Sequence, residues 1–226
     1  MAGASVPSVG TGGSTKTSVG SFGRSGFAAV LPGYAQSKEN AVAKPEIYVS
    51  VDIETDGPIP GVFSMLSLGA AAFQRGTRVP FATYEFNLER LPGAEQHPDT
   101  MEWWAKQDPA VWAHVTKDPR EPTVGIRAFV QWVQALPGNP VLVTYPTWDY
   151  AWVSWYCTRF AGKNPFGLGG LDVKSYAMAC FGLDFKGSTK RNYPDWVFEG
   201  APPHTHQALD DAIGQGVMFM NMLNRV

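Results

Sequence analysis

The stretch IYVSVDIETDG, residues 47–57, decides the fold. Its first seven residues are mostly β-branched or aromatic, a composition typical of a strand buried within a sheet. The Thr-Asp-Gly that closes it, at 55–57, consists of turn formers, so we expect the strand to end there. Side chains two apart on a strand point to the same face, and Asp52 and Glu54 therefore converge at this end. Such a pair repels itself unless a cation lies between the carboxylates; the plainer alternative is two solvated acids, with Glu54 turned outward.

The chain that follows alternates strand and helix patterns. Residues 65–73 and 81–88 are predicted as a second and third strand joined by short loops, as in an antiparallel meander. In the last helix, apolar residues recur every three or four positions from Ala208 to Met220. This order predicts an α/β fold with a mixed five-stranded sheet flanked by helices, and a short fifth strand is placed near Leu171. The other predicted elements are a helix at 101–104, a helix carrying residues 126–133, a strand at 141–145, a helix at 149–160 and a helix ending at residue 180.

Four helix starts are predicted from polar residues that can accept hydrogen bonds from free backbone N–H groups. Asp99 with Glu102 forms a capping-box pattern, while Thr123, Asp172 and Thr205 precede later helices. If Thr205 caps the last helix, the histidine that follows it lies in the adjoining loop or first turn.

Composition and charge narrow the function classes. Of 226 residues, 44% are hydrophobic, enough to bury a core, which excludes disorder of the whole chain. Lys and Arg total 18 against 20 for Asp and Glu, a net charge of −2. A protein that coats long DNA usually has a basic face and a basic isoelectric point. A nucleic-acid ligand is therefore expected to be contacted locally, a few nucleotides in a pocket, with metal ions supplying positive charge.

Residues 1–44 are predicted to be a disordered tail ahead of a single domain at 45–226. They are rich in Gly and Ser, have no acidic residue before Glu39 and show no apolar periodicity. A misassigned start codon and an organellar transit peptide are the alternatives for this segment.

Cysteine usage and hydropathy indicate a cytoplasmic protein. Cys157 and Cys180 stand in apolar surroundings without metal-ligand spacing, so two reduced, buried thiols are expected, with a disulfide as the alternative. No apolar run approaches the roughly 20 residues of a membrane span. The sequence leaves the oligomeric state open, a homodimer included.

Three short motifs resemble those of the DEDDh (DnaQ-like) 3′→5′ exonucleases. The first is the pair Asp52 and Glu54 at the end of the opening strand. The second is Asp149, which opens a helix after a later strand. The third is His206 with Asp211 five residues later, and histidine rather than tyrosine at this place marks the His subtype. The motifs occur in the family order over nearly the whole predicted domain.

Neighbouring residues refine the resemblance and show one departure from it. MEWW at 101–104 and PHTH at 203–206 resemble the exoribonuclease-like branch of the family. Many relatives have Asn four residues before the acid of the second motif, where this chain has Tyr145. A supporting contact is therefore expected to be missing or supplied by the preceding threonine.

The resemblance implies a ribonuclease H-like fold and an active site with two metal ions, Mg²⁺ or Mn²⁺, which prefer hard oxygen ligands. Asp52 would bridge the two ions. Glu54 and Asp211 would complete one site, and Asp149 would hold the other. His206 would be the general base, since an unperturbed imidazole titrates near neutrality. Family spacing selects Asp211 rather than its neighbour at 210 as the ligand.

The resemblance also implies contacts with the substrate. Met65 and Leu66 would lie where relatives wedge the terminal bases apart, with strand core as the alternative. Trp103 could stack on a nucleobase, although at least one of Trp103 and Trp104 is expected in the core. The residues predicted to touch substrate are Thr55, Gly57, Met65, Leu66 and Trp103.

The predicted function is stepwise removal of nucleoside 5′-monophosphates from the 3′ end of single-stranded or short nucleic acid, with RNA slightly favoured over DNA. Lys186, Lys190 and Arg191 lie in a loop just before the third motif, where phosphate contact and a solvated loop are both open. Two other functions remain: a catalytically inactive nucleic-acid-binding module on the same fold, and a phosphohydrolase of nucleotides or dinucleotides.

Overall fold

The computed structural model describes residues 44–225, so the predicted tail at residues 1–44 lies outside the described residues apart from Lys44. These residues form five strands and six helices. In chain order they are β1 (Glu46–Thr55), β2 (Met65–Gln74), β3 (Ala82–Asn87), α1 (Pro98–Trp104), α2 (Pro109–Val115), α3 (Pro122–Gln134), β4 (Asn139–Thr144), α4 (Trp148–Ala161), β5 (Leu171–Asp172), α5 (Val173–Phe181) and α6 (Ala208–Leu223), with short 3₁₀ helices at Lys190–Asn192 and Asp195–Phe198.

The strands form one mixed sheet in the order β3-β2-β1-β4-β5. β1, β2 and β3 are antiparallel neighbours, as the predicted meander requires, whereas β4 runs parallel to β1 and β5 parallel to β4. The fifth strand is a two-residue pairing at Leu171, the place predicted for it. The predicted fold class, a mixed five-stranded sheet flanked by helices, is confirmed.

Alternate side chains of β1 enter two different cores. Ile47 and Val49 are buried with Ile126 of α3 on one face of the sheet. Tyr48 belongs to the core on the other face, where its ring lies 5.4 Å from that of Phe219 in α6. Because the side chains of β1 alternate in this way, Asp52 and Glu54 near its end lie on the face of the sheet that α6 covers.

Two predicted helix starts are wrong because a proline sets the first helical residue. α1 begins at Pro98, ahead of Asp99, and its N-cap residue forms no side-chain capping bond. α3 begins at Pro122, and the carboxylate of Glu121, rather than Thr123, accepts the backbone N–H of the first turn. Proline favours the first helical position because its φ is already helical and it has no N–H to leave unbonded.

Of the two other predicted helix starts, that of α5 is confirmed and that of α6 is wrong. Asp172 caps α5 as predicted, accepting from the backbone N–H groups of Lys174 and Ser175. The N-cap of α6 is Gln207 rather than Thr205, two residues later than predicted. α2 was not predicted; Asp108 caps it by accepting from the N–H of the residue at 110.

One of the two cysteines differs from its prediction. Both thiols are free, but only Cys157 is buried, whereas Cys180 is exposed near the end of α5. The buried residues of α5 are Val173 and Ala177, and Cys180 lies on the outward side of the helix with the exposed Ala179. Within residues 44–225, no helix has the length and apolar character needed to cross a membrane.

Candidate active site

Asp52 and Glu54 lie near the end of β1, half-buried beneath α6. Across the antiparallel pair, Asp52 is opposite Gly69 and Glu54 is opposite Ser67, after which the register shifts by a bulge. The alternation of the strand sends both carboxylates to the same side, as the sequence predicted.

Two glycines allow α6 to approach the sheet closely. A Cβ on Gly69 would stand 2.2 Å from backbone atoms of Ala208 and Leu209, at the start of α6. A Cβ on Gly216 would stand 2.3 Å from a phenylalanine ring of β2. Since Gly69 is the partner of Asp52 in the sheet, the first turn of α6 is brought directly beside that carboxylate.

Gln215 fixes the rotation of α6, and sequence reasoning missed it. Its buried side-chain amide donates to the backbone oxygen of Val51 at 2.6 Å. Gln215 lies one helical turn after Asp211, so this bond holds the face that carries Asp211 toward β1. A polar residue four positions after the third-motif acid, within an apolar stripe, was the signal that could have identified it.

Asp211 completes a cluster of three carboxylates. One oxygen atom from each of Asp52, Glu54 and Asp211 lies within 4.8 Å of the others. Asp211 is buried, and its two oxygens accept the backbone N–H groups of Thr205 and His206, both at 3.0 Å. The same side chain therefore faces the other acids and shapes the loop before α6.

Asp149 lies in the first turn of α4, at the edge of the sheet where β4 ends. It is buried, and its Oδ2 has no hydrogen-bond partner among the described residues. A buried, unbonded carboxylate oxygen costs free energy unless a ligand satisfies it.

The acids affect one another's protonation. Burial, followed by the neighbouring Asp211, raises the pKa of Asp52 well above its ordinary value. Burial and then Asp52 raise the pKa of Glu54 in the same way. Burial, followed by Asp52 and Glu54, also raises the pKa of Asp149. This electrostatic interaction connects Asp149 to the two acids of β1, Asp52 and Glu54.

The acidic cluster fits divalent cations. Its donors are carboxylate oxygens, the ligands that Mg²⁺ and Mn²⁺ prefer. The unbonded oxygen of Asp149 and the mutual repulsion of the other acids are both relieved by a bound cation. The residues that could hold such ions are Asp52, Glu54, Asp149 and Asp211.

His206 lies in the loop before α6 with a left-handed backbone conformation, φ +57°. Its ring packs edge-on against Trp103, with centroids 5.0 Å apart, and against His204 at 4.2 Å. A ring nitrogen of His206 lies within 4.8 Å of an Asp211 oxygen. Burial and the nearby His204 lower the pKa of His206, Asp211 opposes them, and Lys190 lowers it further. The ring is therefore favoured in the neutral form that can accept a proton.

Two other polar residues support this loop. The Nδ1 atom of exposed His204 lies 2.8 Å from the Oδ1 of Asp211. Asp210 is half-buried and accepts a hydrogen bond from the Thr205 hydroxyl at 3.1 Å. The two adjacent acids thus have different surroundings, with Asp211 in the carboxylate cluster and Asp210 on the loop beside it.

The turn after β1 is held by its own polar groups. Asp56 is fully buried, forms an ion pair with Arg90 at 2.9 Å and accepts the backbone N–H of Ser64. The Thr55 hydroxyl donates to the backbone oxygen of Gly57 at 2.9 Å, and both residues are buried. The side chain of Thr55 is thus committed to the turn, which leaves main-chain atoms as the means by which these two residues could touch substrate.

Three residues predicted to touch bases separate into core and surface. Met65 and Leu66 are 0% and 3% exposed, which favours the strand-core alternative for their side chains, and their contact with substrate stays a prediction. Trp104 is buried, and its indole N–H donates to the backbone oxygen of Thr55 at 2.9 Å. Trp103 is 39% exposed and lies against His206, where a base could reach it.

A cavity of about 510 Å³ opens beside the acids. Asp52 and Asp211 form part of its wall, and Lys190 and Arg191 supply positive charge to it. The remaining lining residues are Tyr145, Pro146, Thr189, His204 and Gln215.

Comparison with known proteins gives two sequence matches over most of the chain. A protein-family model described as the 3′-5′ exoribonuclease Rv2179c-like domain matches residues 47–223. The 3′-5′ DNA exonuclease Cap18 of Escherichia coli is 31% identical over 183 residues, which cover 77% of this chain and 90% of that protein.

Solved structures of low sequence identity share the fold. The nuclease domain of 3′hExo, a DEDDh family member bound to rAMP, superposes with a TM-score of 0.61 at 10% identity, over 80% of this chain and 93% of that one. A 3′-exonuclease, from a structure concerned with 3′-end specific recognition of histone mRNA stem-loop, gives 0.61 at 10% identity. That match covers 81% of this chain and 65% of the other. At such identities the two structures are evidence for the fold alone.

Proposed function

The chain belongs to the 3′-5′ exoribonuclease Rv2179c-like domain family, and from this premise we propose a more specific function. It removes nucleoside 5′-monophosphates one at a time from the 3′ end of single-stranded or short nucleic acid, and it prefers RNA to DNA. The chain is a 3′-5′ exonuclease, a phosphodiester hydrolase, and it shares the fold of a DEDDh family member. The observation that carries the finer proposal is the convergence of one oxygen from each of Asp52, Glu54 and Asp211 within 4.8 Å, near Asp149, whose Oδ2 has no hydrogen-bond partner among the described residues.

The four carboxylates would hold two divalent ions, Mg²⁺ or Mn²⁺. When bound, such ions stabilise the negative charge that develops on the attacking and leaving oxygens of a phosphodiester displacement. Asp52 and Glu54 would contribute their carboxylates from β1, and Asp211 would contribute its carboxylate from α6, which Gly69 of β2 allows to approach the sheet closely. Asp149 joins them from the start of α4.

His206 would act as the general base. Its ring accepts a proton from the attacking water as the water oxygen bonds to phosphorus and the bond from phosphorus to the 3′ oxygen breaks. The leaving 3′ oxygen takes up a proton from solvent water, so the products are a nucleoside 5′-monophosphate and a strand one nucleotide shorter with a free 3′ hydroxyl. Trp103 packs against the His206 ring and Asp211 holds the His206 backbone, so both restrict the positions that the ring can take.

DNA is the second candidate substrate. The family model describes exoribonucleases, whereas the Escherichia coli relative at 31% identity is a DNA exonuclease. Trp103, the exposed aromatic residue beside His206, offers a stacking surface that suits the bases of either nucleic acid.

Matched RNA and DNA strands of one sequence, each labelled at the 5′ or the 3′ end, test the proposal. With Mg²⁺ or Mn²⁺, the 5′-labelled strand should give a ladder shortened from the 3′ end, and the 3′-labelled strand should release labelled monophosphate first. Excess EDTA should stop both reactions. The larger kcat/KM of the two strands identifies the preferred nucleic acid.

Three results would contradict the proposal. Undiminished cleavage in EDTA would exclude the metal-dependent mechanism. Cleavage of dinucleotides without shortening of longer strands would favour the phosphohydrolase. Strand binding without any product, at all metal concentrations, would favour the inactive binding module.

A further inference from the structure

Lys190 is a charged residue in the cavity wall without a role in the chemistry described so far. It lies in the 3₁₀ helix Lys190–Asn192, is half-buried, and lines the 510 Å³ cavity together with Asp52 and Asp211. It also lines a smaller adjoining cavity of about 260 Å³ that includes Asp211. Its charge therefore faces the space in which a substrate would meet the acids.

The backbone on the N-terminal side of Lys190 is held from beneath. Ser188 is fully buried, and its hydroxyl donates to the backbone oxygen of Lys174 at 2.8 Å. The same hydroxyl shares a 3.0 Å hydrogen bond with the phenol of Tyr193, which is also buried. Buried, hydrogen-bonded residues therefore lie shortly before and shortly after Lys190 in the chain, and they restrict the position of its backbone.

Tyr145 supports the ammonium group. The Nζ atom of Lys190 lies 5.1 Å from the centroid of the Tyr145 ring, a distance at which the ring face attracts a cation. Tyr145 lies four residues before Asp149 and, like Lys190, lines the 510 Å³ cavity. Its aromatic face therefore lies beneath a lysine at the cavity wall.

The ammonium group of Lys190 lowers the pKa of Asp52 through space, against the larger effects of burial and Asp211, without forming an ion pair with Asp52. Within the stretch from residue 44 to residue 225, Lys190 takes part in none of the ion pairs formed at 4.0 Å or less. The acids that share its cavity, Asp52 and Asp211, face each other and Glu54 instead. A cation so held is free to pair with an anion that enters the cavity.

We propose that Lys190 is a catalytic residue that binds a non-bridging oxygen of the scissile phosphate, and that Tyr145 is the positioning residue that holds it there. The inference rests on the proposed function, because it assigns the phosphate contact of that same site. The ammonium N–H donates to the phosphate oxygen both in the bound strand and in the monophosphate product.

The chemistry of the step explains why a lysine suits this place. During the displacement the non-bridging oxygens carry negative charge while the phosphorus changes its substituents. A compact ammonium with three donors can follow that oxygen without the fixed fork geometry of arginine. A charge already in position stabilises the transition state more than one that must reorganise.

Removal of the charge tests the proposal in the full-length chain. Lys190→Met should lower kcat/KM for a short RNA strand about 10²-fold, the usual loss of one such donor. Affinity for adenosine 5′-monophosphate, measured by calorimetry with Mg²⁺, should fall about 10-fold or more. Lys190→Arg should recover most of both. The matched control is Lys186→Met, an identical substitution at an exposed position of the same loop, which should change neither.

Two results would overturn the proposal. One is a Lys190→Met variant with wild-type affinity for adenosine 5′-monophosphate. The other is a loss that Lys190→Arg fails to restore and that is accompanied by a lower melting temperature, the sign of a structural role. A wild-type protein that binds the monophosphate but shortens no strand would refute the proposed function alone, since the binding comparison would still test Lys190.

The positioning role of Tyr145 is tested separately. Tyr145→Phe keeps the aromatic face and should retain kcat/KM within about threefold, whereas Tyr145→Leu should reproduce part of the Lys190→Met loss. In the Lys190→Met background, Tyr145→Leu should then have little further effect on kcat/KM. Full additivity of the two losses would show that Tyr145 does not act through Lys190.

Discussion

The adjacent acids Asp210 and Asp211 give the sharpest test at the scale of single residues. Asp211 belongs to the carboxylate cluster, whereas Asp210 accepts a hydrogen bond from Thr205 outside it. Asp211→Asn should lower kcat/KM by about 10³-fold or more, because a ligand charge worth several kcal/mol is lost. Asp210→Asn should cost no more than a few-fold. Steady-state kinetics on one labelled strand measure both, and equal losses would mean that the third motif is read in the wrong register.

His206 can be separated from the metal ligands by two independent measurements. His206→Ala should lower kcat by roughly 10²–10⁴-fold, the usual contribution of positioned proton transfer. The rise in melting temperature caused by Mg²⁺ or Mn²⁺ should remain, because its ring is not assigned as a ligand. His114→Ala, which removes a histidine paired with Glu85, is the control and should leave kcat unchanged. If His206→Ala abolished the metal-induced rise as Asp52→Asn should, the histidine would be a ligand.

At this scale, local geometry made part of the site predictable from sequence. The alternation of a strand places Asp52 and Glu54 on one face, and the structure brings Asp211 to them as the family spacing implied. Gln215 was missed because its role lies in a contact with Val51, 164 positions away, that periodicity cannot show. The catalytic roles of these residues stay predictions.

At the scale of elements, the contact between α6 and β2 depends on Gly69. A Cβ there would lie 2.2 Å from the backbone of Ala208, so Gly69→Ala must push the helix away from the sheet. Overpacking of this kind costs about 1–3 kcal/mol, which lowers the melting temperature by about 2–4 °C for each kcal/mol in a domain of this size. Activity should fall further than stability, because Asp211 moves with the helix. Thermal denaturation and kcat/KM are measured on the same preparation.

Gly169→Ala is the matched control for this substitution. No heavy atom lies within 4 Å of a Cβ built there, so both its stability and its activity should stay near those of the wild type. A Gly69→Ala variant that kept full activity would show that Asp211 reaches the other acids without the close contact of α6 and β2.

The elements themselves were largely predictable, whereas three of the four predicted helix starts, all but that of α5 at Asp172, were wrong. Strands and helices follow from apolar periods of two and about 3.6 residues, which are properties of the local sequence. Two helix starts were displaced by Pro98 and Pro122, whose fixed φ outweighs a nearby polar cap. α6 starts two residues later than predicted because the Thr205 hydroxyl accepts the N–H of Gln207 in the loop before the helix. In that loop Asp211 accepts the N–H groups of Thr205 and His206.

At the scale of the whole molecule, the acidic cluster couples folding to metal and pH. Without metal, burial and mutual repulsion raise the pKa values of Asp52, Glu54 and Asp149 above those of the unfolded chain. The folded state therefore binds more protons, and the contribution of these groups to stability is full at low pH and is lost as pH rises through their raised pKa values. A bound divalent cation removes the repulsion and should reverse this loss.

Asp52→Asn is expected to separate stability from function. In EDTA near pH 7.5, the variant should melt at a higher temperature than the wild type, since one buried charge is gone and the other acids are relieved. The difference should shrink as the pH is lowered toward 4, where the wild-type acids become protonated. With Mg²⁺ or Mn²⁺ the order should reverse, because the wild type gains stability by binding metal and the variant does not. Asp210→Asn, an adjacent acid outside the cluster, should change neither profile. A variant that was less stable than the wild type in EDTA at pH 7.5, yet responded to metal as fully, would show that Asp52 neither repels its neighbours nor binds the ion.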